Sequence, residues 1–433
     1  MRTIDLRGLD LTPAELLTAV PRAAEARQAA HDAAARIVEE VRADGESALR
    51  AQAERFDGVV AHEIRVPAAH IAEAVSGLEP DVRAALEESI DRVRRASAAQ
   101  VPEPRATLLG DGARVAQRWQ PVARAGVYVP GGKAVYPSSV VMNVVPAQVA
   151  GVGRIALASP PQSDAGGRVH PTILAVAGLL GVDEVYAMGG AGAIAAFAYG
   201  VPSLDLDPVD VVSGPGNNFV AAAKRVVAGR VGTDAEAGAT EILVSADGDA
   251  DPRLIAYDLV SQAEHDEQAS AVLVTWSEDL ARRVAEEVES VAGRTRHAER
   301  VRQALAGPQS AIVLVDDAAT AAAFSNAYGP EHLELHLADA EEAVAEYTSA
   351  GAVFVGPSSP VSLGDYLAGS NHVLPTGGQA RYGSGLGAYT FLRPQQVISY
   401  DRAALAEVAD RIVALADEEQ LPAHGEAVRA RFA

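Results

Sequence analysis

Residues 184–199 read EVYAMGGAGAIAAFAY, and this stretch decides the fold. Glu184–Met188 is a short apolar run, too brief for a helix, that ends on two glycines. Ala191–Tyr199 then offers small and apolar helix formers. An apolar run, a glycine turn and a helix in that order make half of a βαβ unit. Gly190-Ala-Gly192-Ala-Ile-Ala195 also fits G-x-G-x-x-A. In that pattern glycine lets the backbone approach a pyrophosphate at a helix N-terminus. Ordinary tight turns use the same residues, so the pattern does not decide function alone.

Working outward, the same alternation recurs on both sides. Apolar runs at Ala125–Val129, Gly153–Ala158 and Val209–Ser213 alternate with helical segments at 140–151, 170–180, 191–199 and 217–229. A second series follows at Glu241–Ser245, Ala271–Thr275, Ser310–Val315 and Gly351–Val355, again with helices between. Such alternation predicts parallel sheets covered by helices. The fold class expected is therefore α/β, with two Rossmann-like parallel-sheet domains plus small N- and C-terminal helical segments. Residues 12–56 and 80–100 carry helical spacing, Val101–Arg118 reads as irregular, and a helix is expected near 402–416.

Bulk chemistry narrows the function. The net charge of −22 lacks the basic face that nucleic acid or an anionic membrane demands. The chain has no cysteine, which excludes disulfides, thiolate metal sites and a cysteine nucleophile. Any transition-metal site must use His, Asp, Glu or amide oxygen. The start, MRTIDLRGLDLTPAELL, lacks the basic-then-apolar pattern of a signal peptide. Residues 134–153 carry no charge but are broken by Pro137, Pro146 and Asn143, so they read as buried core rather than a membrane span. A cytoplasmic protein is expected.

Three glycine loops end apolar runs: Val129-Pro-Gly-Gly-Lys133, Gly189-Gly-Ala-Gly192 and Gly214-Pro-Gly-Asn217. The chain's two lysines, Lys133 and Lys224, fall inside or just after such loops. Together these features point toward nucleotide binding.

Polar residues also stand where apolar ones belong. Arg253–Ala269 reads as one helix, with Ile255, Leu259, Gln262 and His265 along a single face. Buried Gln and His need partners, because an unpaired polar group costs about 1–3 kcal/mol. Either they bond within the core or they line a metal or substrate site. Glu331-His332 in a turn before a strand, Asp365 in SLGDY, and His372 in GSNHVLP raise the same alternatives.

Taken together these segments resemble the histidinol dehydrogenase family. The likeness runs over nearly the whole chain, through GVYVPGGKAVYPSSVVMNVVPAQVAGV, SGPGNNFVAAAKR, DAEAGATEI, SQAEHDE, NAYGPEHLEL, SPVSLGDYLAGSNHVLPT and LPAH. The resemblance implies oxidation of L-histidinol to L-histidine with two NAD and one zinc ion per subunit. It implies Gln262, His265, Asp365 and His424 as zinc ligands, which also contact the substrate, and Glu331 and His332 as general bases. Thr240, His332, His372 and Glu419 would contact substrate, and Tyr128, Gly192 and Asn217 would lie at the cofactor. It also implies a homodimer of intertwined subunits, with Glu419 and His424 acting on the partner's site.

Domains are expected accordingly: an arm at 1–24, a main α/β domain at 25–127 and 240–380, an NAD-binding domain at 128–239, and a C-terminal segment at 381–433. Three positions depart from the family's usual pattern. Gly192 stands for a glutamine, Ala239 for a proline, and Thr240 for the serine of many members. Rival readings are a relative that oxidises another small alcohol such as a sulfonated diol, a zinc hydrolase, and a non-catalytic metal binder.

Overall fold

The computed structural model describes residues 1–22, 27–131, 135–235 and 238–433. Lys133 of the first glycine loop lies outside the described residues, as do Glu236 and Ala237 of the DAEAGATEI segment.

Among the described residues, fourteen strands form three sheets. In chain order they are β1 (Arg2–Asp5), β2 (Arg105–Gly110), β3 (Ala113–Pro121), β4 (Arg124–Tyr128), β5 (Arg154–Ser159), β6 (Glu184–Ala187) and β7 (Val211–Ser213). They continue with β8 (Gly232–Thr233), β9 (Glu241–Ala246), β10 (Ser270–Thr275), β11 (Ala311–Leu314), β12 (His332–His336), β13 (Ala352–Val355) and β14 (Leu392–Tyr400).

Two sheets are parallel, as the alternation predicts. One has six strands in the order β1-β11-β10-β9-β12-β13, and the other five in the order β6-β5-β4-β7-β8. Every residue of β9, β10 and β11 is buried. That is why these strands read as continuous apolar runs: helices cover both faces of a parallel sheet. In each sheet the chain reverses direction across the sheet, between β4 and β7 in one and between β9 and β12 in the other.

Both parallel sheets belong to one compact unit, Met1–Gln100 with Ala123–Phe391. A second unit comprises Val101–Val122 and Leu392–Ala433. It holds the antiparallel sheet β14-β3-β2 and the helices Arg402–Glu418 and Pro422–Arg429. This sheet corrects the expectation of an irregular 101–118 and adds a strand, β14, ahead of the helix expected near 402–416. All six residues of β2 are exposed, so no period-two alternation of apolar residues marks it. Gly112 turns β2 into β3 at φ 73°, and a Cβ there would collide with the Asp401 carboxylate.

Two further differences are local. The N-terminal residues Arg2–Asp5 add an edge strand beside β11, where only a helical arm was expected. The helix expected over Arg253–Ala269 spans Pro252–Ala263. Beyond it, Asp266 Oδ1 accepts the Gln268 N–H at 2.9 Å, a local bond that competes with helical pairing. His265 therefore lies just past the helix end. Among the described residues, no helix is long and apolar enough to cross a membrane.

Candidate active site

The catalytic candidates gather at the N-terminal edge of the six-stranded sheet, where β9 and β12 lie side by side. Thr240 immediately precedes β9, Glu331 immediately precedes β12, and His332 is the first residue of β12. Parallel pairing in register thus brings residues some ninety positions apart to one edge.

Glu331 is buried, and burial pushes its carboxyl pKa up to about 7. His332, the Thr240 hydroxyl and a backbone amide oppose that rise. Its Oε2 accepts the Thr240 hydroxyl at 2.6 Å and the Glu241 N–H at 2.8 Å. Thr240 Oγ1 in turn accepts from Gln262 Nε2. The chain has a direction, because a carboxylate can only accept. The threonine hydrogen goes to Glu331, the amide hydrogen goes to Thr240, and Gln262 Nε2 is thereby assigned as the donor end. Gln262 Oε1 is left buried with no partner among the described residues.

His332 Nδ1 lies 3.0 Å from the Glu241 carbonyl. A carbonyl only accepts, so Nδ1 carries the hydrogen and Nε2 keeps its lone pair. This is the tautomer a general base requires.

His265, Asp365 and His372 complete the cluster. His265 is exposed to solvent on one side, and partial desolvation lowers its pKa, with Asp365 opposing and His332 reinforcing the shift. Asp365 sits near the end of the short helix Val361–Tyr366. His372 Nδ1 faces the Asp365 carbonyl at 3.2 Å, and its Nε2 faces Ser139 Oγ at 3.3 Å. Burial lowers the His372 pKa against the pull of Asp365. The structure thus brings Thr240, Gln262, His265, Glu331, His332, Asp365 and His372 together. An orphaned amide oxygen, an imidazole biased toward neutrality and a carboxylate form a donor set that fits zinc.

Glu419 and His424 fall in the second unit. Glu419 caps the end of the helix Arg402–Glu418, and His424 lies in the first turn of Pro422–Arg429. Both are exposed.

The nucleotide candidates lie at the opposite kind of edge, the carboxyl ends of the five-stranded sheet. Tyr128 ends β4 and Asn217 follows β7, so they flank the point where the strand order reverses. Open α/β sheets bind ligands at such a crevice. The buried Tyr128 hydroxyl accepts the Gly190 N–H at 3.1 Å. Asn217 is exposed and caps the helix Asn218–Val227, its Oδ1 accepting from Phe219 and Val220 N–H at 3.0 and 3.2 Å. Gly192 lies buried in the first turn of the helix Gly190–Tyr199. Gly214, at φ 117°, must be glycine because a Cβ would strike the Tyr128 carbonyl. Lys224 does not reach toward a phosphate. It is buried, bonds the Gly214 carbonyl at 2.5 Å and pairs with Asp234, so it pins the loop.

Sequence reasoning missed several supporting residues. Glu241, whose carbonyl orients His332, looked like the first residue of an apolar run, and its carboxylate pairs with Arg22. Ser139 opposite His372 lay inside an uncharged segment. Asp258, Glu334 and His336 place ligand-type atoms within 4.8 Å of one another. Glu334 and His336 share a face of β12 with His332 at period two, a signal present in His332-Leu-Glu-Leu-His336. Glu334 is already engaged by the Val361 N–H at 2.8 Å and His336 Nε2 at 3.3 Å.

A family model described as histidinol dehydrogenase matches residues 20–432. A histidinol dehydrogenase from Leifsonia xyli subsp. xyli is 66% identical over 432 residues, covering 100% of this chain and 99% of the relative. One from Mycolicibacterium smegmatis is 54% identical, covering 100% and 98%. A crystal structure of histidinol dehydrogenase from Elizabethkingia anophelis superposes with a TM-score of 0.92 at 31% identity, covering 100% and 98% of the two chains.

Proposed function

The chain belongs to the histidinol dehydrogenase family, and from that membership we propose that it oxidises L-histidinol to L-histidine by way of L-histidinal. The reading includes two NAD consumed in turn and one zinc ion per subunit. The observation that carries it is the hydrogen-bonded chain Gln262–Thr240–Glu331, set beside a His332 whose Nε2 is free of hydrogen.

Gln262, His265 and Asp365 would hold zinc, with His424 of a second copy as the fourth ligand. Bound there, zinc supplies a Lewis-acid anchor for the substrate's imidazole and amine. NAD, held at the carboxyl edge of the five-stranded sheet, supplies the hydride acceptor for each step.

The chain's own residues manage the protons. His332 Nε2 takes the hydroxyl proton in each oxidation. With no cysteine in the chain, no thiohemiacetal can form, so the aldehyde must be hydrated. Glu331, with a pKa near 7, is substantially ionised at neutral pH and takes a proton from the hydrating water. His372, Thr240 and Glu419 complete the substrate's surroundings. The assembly we propose is a cytoplasmic, intertwined homodimer, in which Glu419 and His424 of one chain complete the site of the other. The acidic net charge supports a small-molecule enzyme with no nucleic-acid partner.

Purified protein given L-histidinol, NAD and zinc should form L-histidine, identified by mass spectrometry. Exhaustive chelation should abolish turnover and zinc should restore it. Preference for a sulfonated diol would overturn the substrate assignment. Full activity in protein shown metal-free by elemental analysis would overturn the zinc assignment.

A further inference from the structure

The first turn of the helix Gly190–Tyr199 has no side chain at position 192, yet the space is filled. A Cβ built on Gly192 would collide with Gln52 Oε1 and come within 3.3 Å of Leu49 Cδ2. The carboxamide of Gln52 therefore lies where a side chain of residue 192 would begin.

Gln52 is the last residue of the helix Glu46–Gln52, and a single π-helical turn, Ala53–Asp57, follows it. π turns often mark functional positions because they re-aim a side chain. Gln52 is 8% exposed. Its Nε2 is buried and has no hydrogen-bond partner among the described residues. An unpaired buried amide destabilises a fold, and a leucine of similar size would fill the same volume without that cost.

The surroundings indicate what the amide serves. The helix Gly190–Tyr199 has ten residues and starts at the carboxyl edge of the five-stranded sheet, beside the Tyr128 hydroxyl that takes the Gly190 N–H. Its first-turn amides and dipole favour an anionic or carbonyl-bearing ligand. Gln52 brings its carboxamide to that turn from another helix, Oε1 nearest Gly192, and its Nε2 is a buried donor that no described residue takes up.

We propose that Gln52 is a cofactor-contacting residue, whose carboxamide, seated in the space that glycine at 192 leaves, donates through Nε2 to the dinucleotide bound across the first turn of the helix Gly190–Tyr199. This rests on the reading of that edge as the NAD site. Gln52 then links the dinucleotide to the N-terminal helices as well as to the sheet.

The test measures NADH affinity by fluorescence titration, with thermal stability recorded alongside, for wild type, Gln52→Leu, Gln52→Met and Gln52→Glu. Wild type should bind NADH; failure to do so overturns the NAD reading itself, and this proposal with it. Given wild-type binding, Gln52→Leu and Gln52→Met should weaken it about tenfold, the loss of one hydrogen bond. Their melting temperature should be unchanged or higher, and the kinetic loss should fall on KM for NAD rather than on kcat. Gln52→Glu should weaken binding more, because it adds negative charge beside an anionic ligand. Unchanged NADH affinity in a folded Leu or Met variant overturns the proposal. A lower melting temperature with unchanged affinity would show that Gln52 only fills space. Should one apolar variant fail to fold, the other and Gln52→Glu decide.

Discussion

Thr240 gives its hydroxyl hydrogen to Glu331 Oε2 at 2.6 Å while its oxygen accepts the amide of Gln262. One hydroxyl thus favours the ionised form of a general base and fixes which end of a glutamine is free. Replacing it with Thr240→Val should act on both. The Glu331 pKa should rise, since Thr240 is one of the groups holding it down. Zinc affinity should fall by about 10–100-fold, as when a group orienting a ligand is lost. Titration against a competing chelator measures the second effect, and unchanged affinity would show that Thr240 does not orient Gln262.

The pH dependence of the aldehyde half-reaction should report Glu331. Its carboxyl pKa is raised from the ordinary 4.5 to about 7, and only the ionised form accepts a proton from water. Activity should therefore rise with pH through about 7. Glu331→Gln should remove that limb and slow histidinal oxidation by about 10²–10⁴-fold. It should spare histidinol oxidation more, whereas His332→Asn should slow both. Equal damage to both half-reactions in both variants would contradict the division of roles.

How much of this was legible beforehand differs by element. The strands β4–β7, β9–β11 and β13 announced themselves as apolar runs because helices cover both faces of their sheets. The antiparallel sheet did not, since β2 is wholly exposed. Glu331 and His332 stood out as polar residues next to an apolar strand. Their partners were hidden, because parallel pairing of β9 with β12 makes Glu241 a neighbour of His332 only in three dimensions. Sequence spacing pointed to Gln262 and His265 on one helical face, although the helix ends between them. The filling of the Gly192 space by Gln52 has no sequence signature at all.

Asp258 gives a stability prediction. Burial raises its pKa above the ordinary 3.8, and the adjacent Glu334 adds to the rise. A raised carboxyl pKa means the folded state holds the proton more tightly than the unfolded one. That contribution is present at low pH and is lost as pH rises from the unfolded value through the folded one. Wild type should therefore lose melting temperature between about pH 4 and pH 8. Asp258→Asn should lose less, because its amide donates to Glu334 at every pH. Identical pH profiles for the two proteins would show that Asp258 does not carry this dependence.

The intertwined dimer is testable by mixing inactive variants. His265→Ala and His424→Ala should each be inactive alone. After subunit exchange, a mixed dimer would hold one site with both histidines intact and one with neither. Random pairing should recover up to about a quarter of wild-type activity. Mixed dimers confirmed by mass but without activity would show that each site is built within one chain.

The most direct test of the central claim is the stoichiometry of the complete reaction. With limiting L-histidinol and excess NAD, the account predicts two NADH per histidinol consumed and one L-histidine formed, without accumulation of free histidinal. One NADH per histidinol with the aldehyde released, or no NADH at all, would contradict a four-electron oxidation at this site.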